Sequence, residues 1–136
     1  MATSNVFTAS IARFVEKAKD NADLVLRKVA LEMFTRVVIK TPVDTGRAKG
    51  AWQCSIGSIP SGMVNHLDKT GSETIARINV NVASANAGDV LYLVANLPYI
   101  NNLEYGSSKQ APSGMVRLTI LEWNRVVDKA ASELPK

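Results

Sequence analysis

Apolar residues recur at helical spacing through the first third of the chain. Steps of three and four residues predict one apolar stripe on a helix over residues 7–37, and the stripe consists of Phe7, Ile11, Phe14, Ala18, Ala22, Val25, Val29, Met33 and Val37. Residues 19–23 lack strong helix formers, so a kink or break is expected there. Pro42 ends the helix, because proline disfavours the α conformation in the preceding residue and has no N–H to donate.

Alternating apolar and polar residues predict short strands in the middle of the chain. Residues 52–56 alternate in this way and predict a strand with one apolar face. Residues 76–82 alternate likewise, and residues 90–95 are almost wholly apolar, so we predict two further strands joined as an antiparallel hairpin by a turn at 84–89. Residues 57–72 are rich in Gly, Pro and Ser and predict a surface loop.

A second apolar stripe predicts a C-terminal helix over residues 116–130, with Ser113 as its N-cap, and the stripe consists of Val116, Ile120, Trp123, Val127 and Ala130. The predicted fold is therefore α+β, with a long N-terminal helix, a small and mostly antiparallel sheet with a hairpin, and a C-terminal helix packed on the sheet. The chain has 136 residues and shows no repeat or linker, so we expect a single domain over residues 1–136.

The sequence argues against a disulfide-bonded, a membrane-spanning and a secreted protein. A single cysteine, Cys54, excludes an internal disulfide. No apolar run approaches about 18 residues, so we expect no membrane span. Residues 1–10 have neither a basic start nor a continuous apolar run, so we expect no secretory signal.

The charge balance leaves a second class of function open. Sixteen Lys and Arg residues face 12 Asp and Glu residues, for a net charge of +4. The basic residues do not cluster along the sequence, which favours a solvated surface over a dedicated nucleic-acid site. The alternative function is a small basic nucleic-acid-binding or regulatory domain, for which the candidate residues are Arg47, Lys49, Lys69, Arg77 and Lys109.

The search for catalytic and metal-binding residues yields no site. The only histidine, His66, and the only cysteine, Cys54, lie on different predicted elements, so we predict no metal, no cofactor and no catalytic residue. His66 and Asp68 are expected to be a solvated pair, and Cys54 a buried, inert thiol. The remaining candidate carboxylates are expected to be solvated or to cap backbone N–H groups, and they are Asp44, Asp89 and Glu104.

The stretch TPVDTGRAKGAW follows the first predicted helix. It is not a phosphate-binding loop, because three residues instead of four separate its glycines and because a helix precedes it. It predicts a chain reversal, in which Pro42 fixes φ, the Asp44 carboxylate accepts backbone N–H groups and Gly46 adopts a positive φ. Arg47 and Lys49 would project from this turn, either toward a partner or into water.

Two motifs in this order carry a resemblance to a known family. The first motif is the PVDTG turn after the long helix, and the second is the segment NLPYINNLEYG, followed by small residues and a helix. Over residues 7–130 the chain resembles the HK97 gp10-like family of tailed bacteriophages. The matching residues are Pro42, Val43, Asp44, Thr45 and Gly46 in the first motif, and Tyr99, Glu104, Tyr105 and Gly106 in the second.

The resemblance implies a structural virion protein and not an enzyme. Members of this family are assigned to tail completion, tail termination or head–tail joining at the head-proximal end of the tail. The implied assembly is a hexameric ring that contacts the tail tube protein, head connector proteins or both, while DNA passes through the lumen without specific binding. The implied location is the virion, after assembly in the host cytoplasm.

A head-to-tail ring needs two different patches on each subunit. We take the turn at 41–49 and the segment at 97–110, which combines aromatic and aliphatic residues with few charges, as the two candidates. For Tyr99 and Leu103 the alternative is that they close the domain's own core. The candidate interface residues are Pro42, Val43, Asp44, Thr45, Gly46, Arg47, Lys49, Leu97, Tyr99, Ile100, Leu103, Glu104, Tyr105 and Gly106.

Overall fold

A computed structural model describes residues 22–106 and 108–133 of the chain, and the predicted helical residues 7–21 lie outside this range. The described part is an α+β fold, which confirms the predicted class. In chain order the elements are α1 (Ala22–Lys40), α2 (Arg47–Gly50), β1 (Trp52–Ile56), α3 (Ser72–Val82), β2 (Leu91–Ala95), α4 (Ile100–Glu104), α5 (Val116–Ile120) and α6 (Trp123–Ser132).

Helix α1 is the element around which the others pack. It contacts α3, α5 and α6, and its buried residues are Val25, Val29, Ala30, Val37 and Val38. The helix ends at Lys40, immediately before Thr41-Pro42, as predicted. The Thr41 hydroxyl donates to the carbonyl of Val37 at 2.8 Å and accepts the indole N–H of Trp52 at 2.8 Å. The end of α1 is thereby joined to the start of β1.

The sheet has two antiparallel strands, β1 and β2, with Trp52 opposite Ala95 and Cys54 opposite Leu93. The predicted hairpin between residues 76–82 and 90–95 is therefore wrong, because β2 pairs with a strand much earlier in the chain. Trp52, Cys54 and Ala95 are buried in the main core. Cys54 is a buried free thiol, as predicted.

Residues 76–82, which were predicted to be a strand, belong to helix α3. Its buried residues, Thr74, Ile78 and Val82, recur every four positions, whereas Val80 is 73% exposed. The alternation of β-branched and polar residues resembles a strand pattern, but these residues belong to a helical stripe that begins before residue 76. The Asn81 side chain of α3 donates to the Cys54 carbonyl at 2.9 Å, so α3 is also fixed to β1.

The predicted C-terminal helix is two helices, α5 and α6, with a break at residues 121–122. The stripe prediction holds for the buried Val127 and Ala130 but is wrong for Ile120, which is 58% exposed. Thr119 is buried in its place, and its hydroxyl donates to the Met115 carbonyl. Both helices pack mainly against α1, not on the sheet.

The buried apolar residues form two clusters. The main cluster lies between α1, α3 and the sheet, and the smaller one lies between the first half of α1 and α6. The fully buried members of the main cluster include Val38, Ile78, Val82 and Met115. This arrangement leaves the turn after α1 at the rim of the core.

Candidate functional site

The turn after α1 is a compact chain reversal. Pro42 and Gly46 are buried, and Gly46 has a φ of +88°, the positive value that the sequence predicted. The backbone N–H of Arg47 donates to Thr45 Oγ1 at 3.3 Å. The Thr45 hydroxyl thus supplies the local side-chain acceptor that the sequence had assigned to Asp44, whose side chain is exposed.

The loop before α3 packs directly against this turn. The N–H of Asp68 donates to the Gly46 carbonyl at 3.0 Å, and a Cβ at position 46 would lie 2.6 Å from the backbone nitrogen of Lys69. A Cβ at position 50 would overlap the carbonyl of His66. Both glycines of the turn are therefore required by close backbone approach, and the turn has little freedom to move.

Asp68 holds this loop to α3. Its carboxylate accepts the N–H of Gly71 at 3.0 Å, the N–H of Thr74 at 2.8 Å and the hydroxyl of Thr74 at 2.7 Å. Burial raises the pKa of Asp68, but these hydrogen bonds, together with the charge of His66, outweigh it and leave the pKa below its usual value. The predicted solvated pair is wrong, because Asp68 is buried and His66 contacts Glu73.

The second motif meets the first through one side chain. The Gln110 side-chain amide accepts the N–H of Val43 at 2.8 Å and donates to the Val43 carbonyl at 2.9 Å. These two bonds join the turn at 41–49 to the segment at 97–110. The sequence predicted two separate surfaces here, and the structure places them side by side.

Together the two segments line one groove of about 230 Å³. Its lining residues are Pro42, Val43, Asp44, Thr45, Gly46, Arg47, Ala48, Tyr99, Leu103, Ser108 and Gln110. We call it the turn groove. Its walls mix apolar side chains with one cation and one carboxylate, an arrangement that suits a contact surface with a protein partner.

The candidate interface residues differ in how accessible they are. The exposed ones are Asp44, Thr45, Arg47, Tyr99 and Tyr105, the half-buried ones are Val43, Lys49, Ile100, Leu103, Glu104 and Gly106, and the buried ones are Pro42, Gly46 and Leu97. Leu97 is 5% exposed and belongs to the main core. Leu103 packs against that core while also lining the turn groove. Leu97 is therefore a core residue and offers its side chain to no partner.

Glu104 caps the start of α5, although the two are well separated in the sequence. Its carboxylate accepts the backbone N–H groups of Met115, Val116 and Arg117 at 2.8–3.1 Å, and it pairs with the Arg117 guanidinium at 3.0 Å. Burial raises the pKa of Glu104, but the hydrogen bonds from these groups lower it below its usual value. Glu104, rather than the predicted Ser113, therefore accepts the free backbone N–H groups at the start of α5.

Tyr105 lies on the surface beside this cap. It is 72% exposed, and the Arg117 guanidinium carbon lies 4.8 Å from the centre of its ring. Such a cation–π contact contributes about 0.5–1 kcal/mol at an exposed site. An aromatic ring this exposed stabilises the subunit little and is available for contact with another molecule.

The described residues contain no group of side chains that could hold a metal ion. Within residues 22–106 and 108–133, no three His, Cys, Asp or Glu side chains are grouped so that they could hold a metal ion. Burial raises the pKa of the Cys54 thiol, which disfavours the reactive thiolate. Asp89 accepts the N–H of Asn86 at 2.7 Å and so stabilises a turn.

Comparisons with protein-family models, curated proteins and solved structures give no match. The resemblance to the HK97 gp10-like family therefore stays a prediction that rests on the two motifs. In the same described ranges, none of the helices has the length and apolar character that crossing a bilayer requires.

The basic candidates at this site could be named from the sequence only one by one, because they do not cluster along it. Three segments that are far apart in the chain converge at the turn and carry four cations, Arg47 and Lys49 on the first, Lys69 on the second and Lys109 on the third. Arg77, the fifth basic candidate, instead donates to the Gly50 carbonyl at 2.9 Å. Only the tertiary contacts between the segments bring these charges together.

Proposed function

We propose that this protein is a structural, non-enzymatic virion subunit of a tailed bacteriophage. It would form a hexameric ring at the head-proximal end of the tail, as a tail terminator, tail completion or head–tail joining protein. Its partners would be other copies of itself and the tail tube protein or head connector proteins. DNA would pass through the lumen without sequence-specific binding.

One observation carries the proposal. The two segments that carry the motifs are distant in sequence, yet Gln110 of the second segment is bonded to Val43 of the first, and both segments line one shared groove. Motif residues around this groove include the exposed Tyr99 and Asp44, and the exposed Arg47 directly follows the first motif. Exposed aromatic and mixed-charge side chains on a rigid turn suit protein recognition.

The second ring surface must lie elsewhere, because the turn groove unites the two surfaces that the sequence suggested. We assign it to the junction between α5 and α6, where Leu118, Ile120 and Leu121 are 38%, 58% and 81% exposed. Contiguous exposed apolar side chains mark interaction surfaces. A head-to-tail ring would bring this junction of one copy to the turn groove of the next.

The test is to image the purified protein by negative-stain electron microscopy, alone and with purified tail tubes. Rings, either free or capping tube ends, support the proposal. Tubes that stay uncapped and a protein that stays monomeric under both conditions overturn it, as would particles that mature normally without the protein. The same images distinguish binding to the tube from binding to connector complexes, if these are added in a parallel sample.

Point variants sharpen this test. Tyr105→Ala and Asp44→Ala both change exposed side chains, so each should leave a folded subunit and weaken assembly. Normal rings and normal infectivity from both variants would contradict the assignment of these residues to the interface. Thermal unfolding of each variant serves as the control for folding.

A further inference from the structure

Two neighbouring segments carry basic residues next to the turn at Gly46. Arg47 and Lys49 belong to α2, which starts directly after this glycine. Lys69 comes from the loop before α3, and its backbone nitrogen lies 2.6 Å from where a Gly46 Cβ would be. Arg47 and Lys69 are exposed, and Lys49 is half-buried. Two segments thus place three cations around a single chain reversal.

A third segment adds another cation. Lys109 is exposed and directly precedes Gln110, whose side chain is hydrogen-bonded to the backbone of Val43. Lys109 is therefore held next to the same turn. We call Arg47, Lys49, Lys69 and Lys109 together the basic face.

Within the described residues the cations of the basic face are not paired with carboxylates, as is also true of Arg27, Arg77 and Arg125. Within residues 22–106 and 108–133, carboxylate partners are found for Lys28, Arg36, Lys40, Arg117 and Lys129. In those same ranges none of the four cations of the basic face has one. The nearby acids are committed elsewhere, since Asp68 is buried against α3 and Glu73 contacts His66. Asp44, on the groove wall, is the carboxylate that offsets part of this charge.

The arrangement favours an extended polyanion over a compact ligand. Only Arg47 of the four lines the turn groove, so a ligand confined to that groove would leave the three lysines unused. Duplex DNA presents one negative charge per about 1.7 Å of its axis and can neutralise separated cations along a surface. We propose that the basic face binds the phosphate backbone of double-stranded DNA without reading its sequence. This goes beyond the function proposed above, because a single subunit suffices for it.

The experiment measures binding of the full chain to a fluorescently labelled random duplex of about 20 base pairs by anisotropy at several salt concentrations, starting near 20 mM. The logarithm of the association constant should fall against the logarithm of salt with a slope of roughly −3 to −4, since each neutralised phosphate contributes about −0.9. The double variant Arg47→Gln/Lys69→Gln should reduce this slope by about 2 and weaken binding at least tenfold at the lowest salt.

The matched control removes the same charge from another surface. Arg125 and Lys129 both lie on α6 and are exposed, and Arg125→Gln/Lys129→Gln should retain the wild-type slope. Circular dichroism and thermal unfolding establish that both double variants are folded. If the two double variants weaken binding equally, the net charge and not the basic face is responsible, and the proposal is overturned.

Two other outcomes also overturn it. The first is no measurable binding of the wild type to the duplex at the lowest salt. The second is binding of a polyglutamate peptide, lost in Arg47→Gln/Lys69→Gln, without any binding of the duplex, which would assign the face to an acidic protein segment. Absence of rings in micrographs bears on the proposed function alone, because the binding measurement needs no assembled form.

Discussion

Gln110 and Val43 are joined by a reciprocal pair of hydrogen bonds, in which one side-chain amide satisfies both the N–H and the carbonyl of one backbone unit. A glutamine side chain used in this way acts like a neighbouring strand, since it offers one donor and one acceptor. The bond pair sets the position of the segment at 97–110 relative to the turn. The shape of the turn groove therefore depends on it.

The first prediction concerns this link. Gln110→Ala should lower the free energy of unfolding by about 1 kcal/mol, because both bonds are at an exposed site. It should weaken ring assembly more than this loss implies, since the groove walls would no longer be held together. Urea unfolding and electron microscopy measure the two effects. Lys109→Ala, at the neighbouring exposed position, is the control for assembly; an equal assembly defect in both would contradict the role given to Gln110.

The second prediction concerns Gly46. Gly46→Ala should cost roughly 3–5 kcal/mol, because it forces an alanine to a φ of +88° and its Cβ into the backbone of residues 68–69, at 2.6–2.7 Å. Gly88→Ala is the matched control, since Gly88 also has a positive φ, +94°, but no atom lies within 4 Å of a Cβ there. It should cost about 1–2 kcal/mol. Equal losses in urea unfolding would show that the contact with the loop at 65–71 is unimportant.

The third prediction is a dependence of stability on pH through Asp68. Its pKa in the folded state lies below the usual value of about 4, so its contribution is present above that value and is lost as the pH falls toward the folded pKa. Asp68→Asn should destabilise the protein at pH 7 by about 1–3 kcal/mol, because a charged acceptor of three hydrogen bonds is replaced by a neutral group.

The measurement for Asp68 is urea unfolding from pH 7 down to about pH 3. The variant should lose less stability than the wild type over the acidic part of this range, so the two curves approach each other. Glu104 and Glu122 also have lowered pKa values, so the variant keeps part of the acid sensitivity. Parallel curves for the two proteins would mean that Asp68 titrates alike in the folded and unfolded chains.

The fourth prediction concerns the charges that hold α1 to the break between α5 and α6. Glu122 contacts Lys40 and lies 3.3 Å from the Arg36 guanidinium, and the hydrogen bond from Lys40 lowers the pKa of Glu122 despite its partial burial. Glu122→Gln should cost about 1–2 kcal/mol, because Lys40 loses its carboxylate partner and Arg36 retains just its pair with Glu32.

Glu133→Gln is the control for Glu122. The Glu133 pair with Lys28 is more exposed, at 45% and 32%, and such surface pairs contribute at most about 0.5 kcal/mol in most cases. Both losses can be read from urea midpoints at pH 7. A larger loss of stability from Glu133→Gln than from Glu122→Gln would contradict the argument that the less exposed ion pair contributes more.

The fifth prediction tests the second ring surface. Leu121 is 81% exposed, so Leu121→Asp should leave the free energy of unfolding within about 0.5 kcal/mol of the wild type and abolish assembly. Val80→Asp introduces the same charge at an apolar residue that is 73% exposed on α3, and it should assemble normally. Sedimentation and micrographs decide the question. Rings formed by Leu121→Asp would remove the junction of α5 and α6 from the interface.

The sequence predicted those elements whose pattern was unambiguous over a long window. The end of α1 just before Thr41-Pro42, the strand over 52–56 and most of the strand over 90–95 follow from such patterns. Helix α3 was misread because Ile78, Val80 and Val82 satisfy both a two-residue and, in part, a helical period. Its start depends on Asp68, four residues upstream of Ser72, and this contact requires the loop to fold back first.

The sequence predicted which segments form the candidate site but not how they contact each other. The motifs identify the turn and the aromatic segment, yet no local rule places Gln110 against Val43 or Glu104 against the start of α5. Both contacts join residues that are distant in the chain, so only tertiary packing specifies them. For the same reason Leu97 could not be recognised as a core residue, nor the basic face as a cluster.

The bond from Asn81 to the Cys54 carbonyl has a consequence for how copies can associate. Open-ended fibrils grow when both edges of a sheet accept new strands. On the β1 side an incoming strand would meet α3 and a carbonyl that is already occupied. A second copy could therefore pair only along β2. If it paired through its own β2, both outer edges of the joined sheet would be β1 edges covered by α3, and no further strand could be added. One helix placed beside one edge therefore limits the strand-by-strand growth of this small sheet.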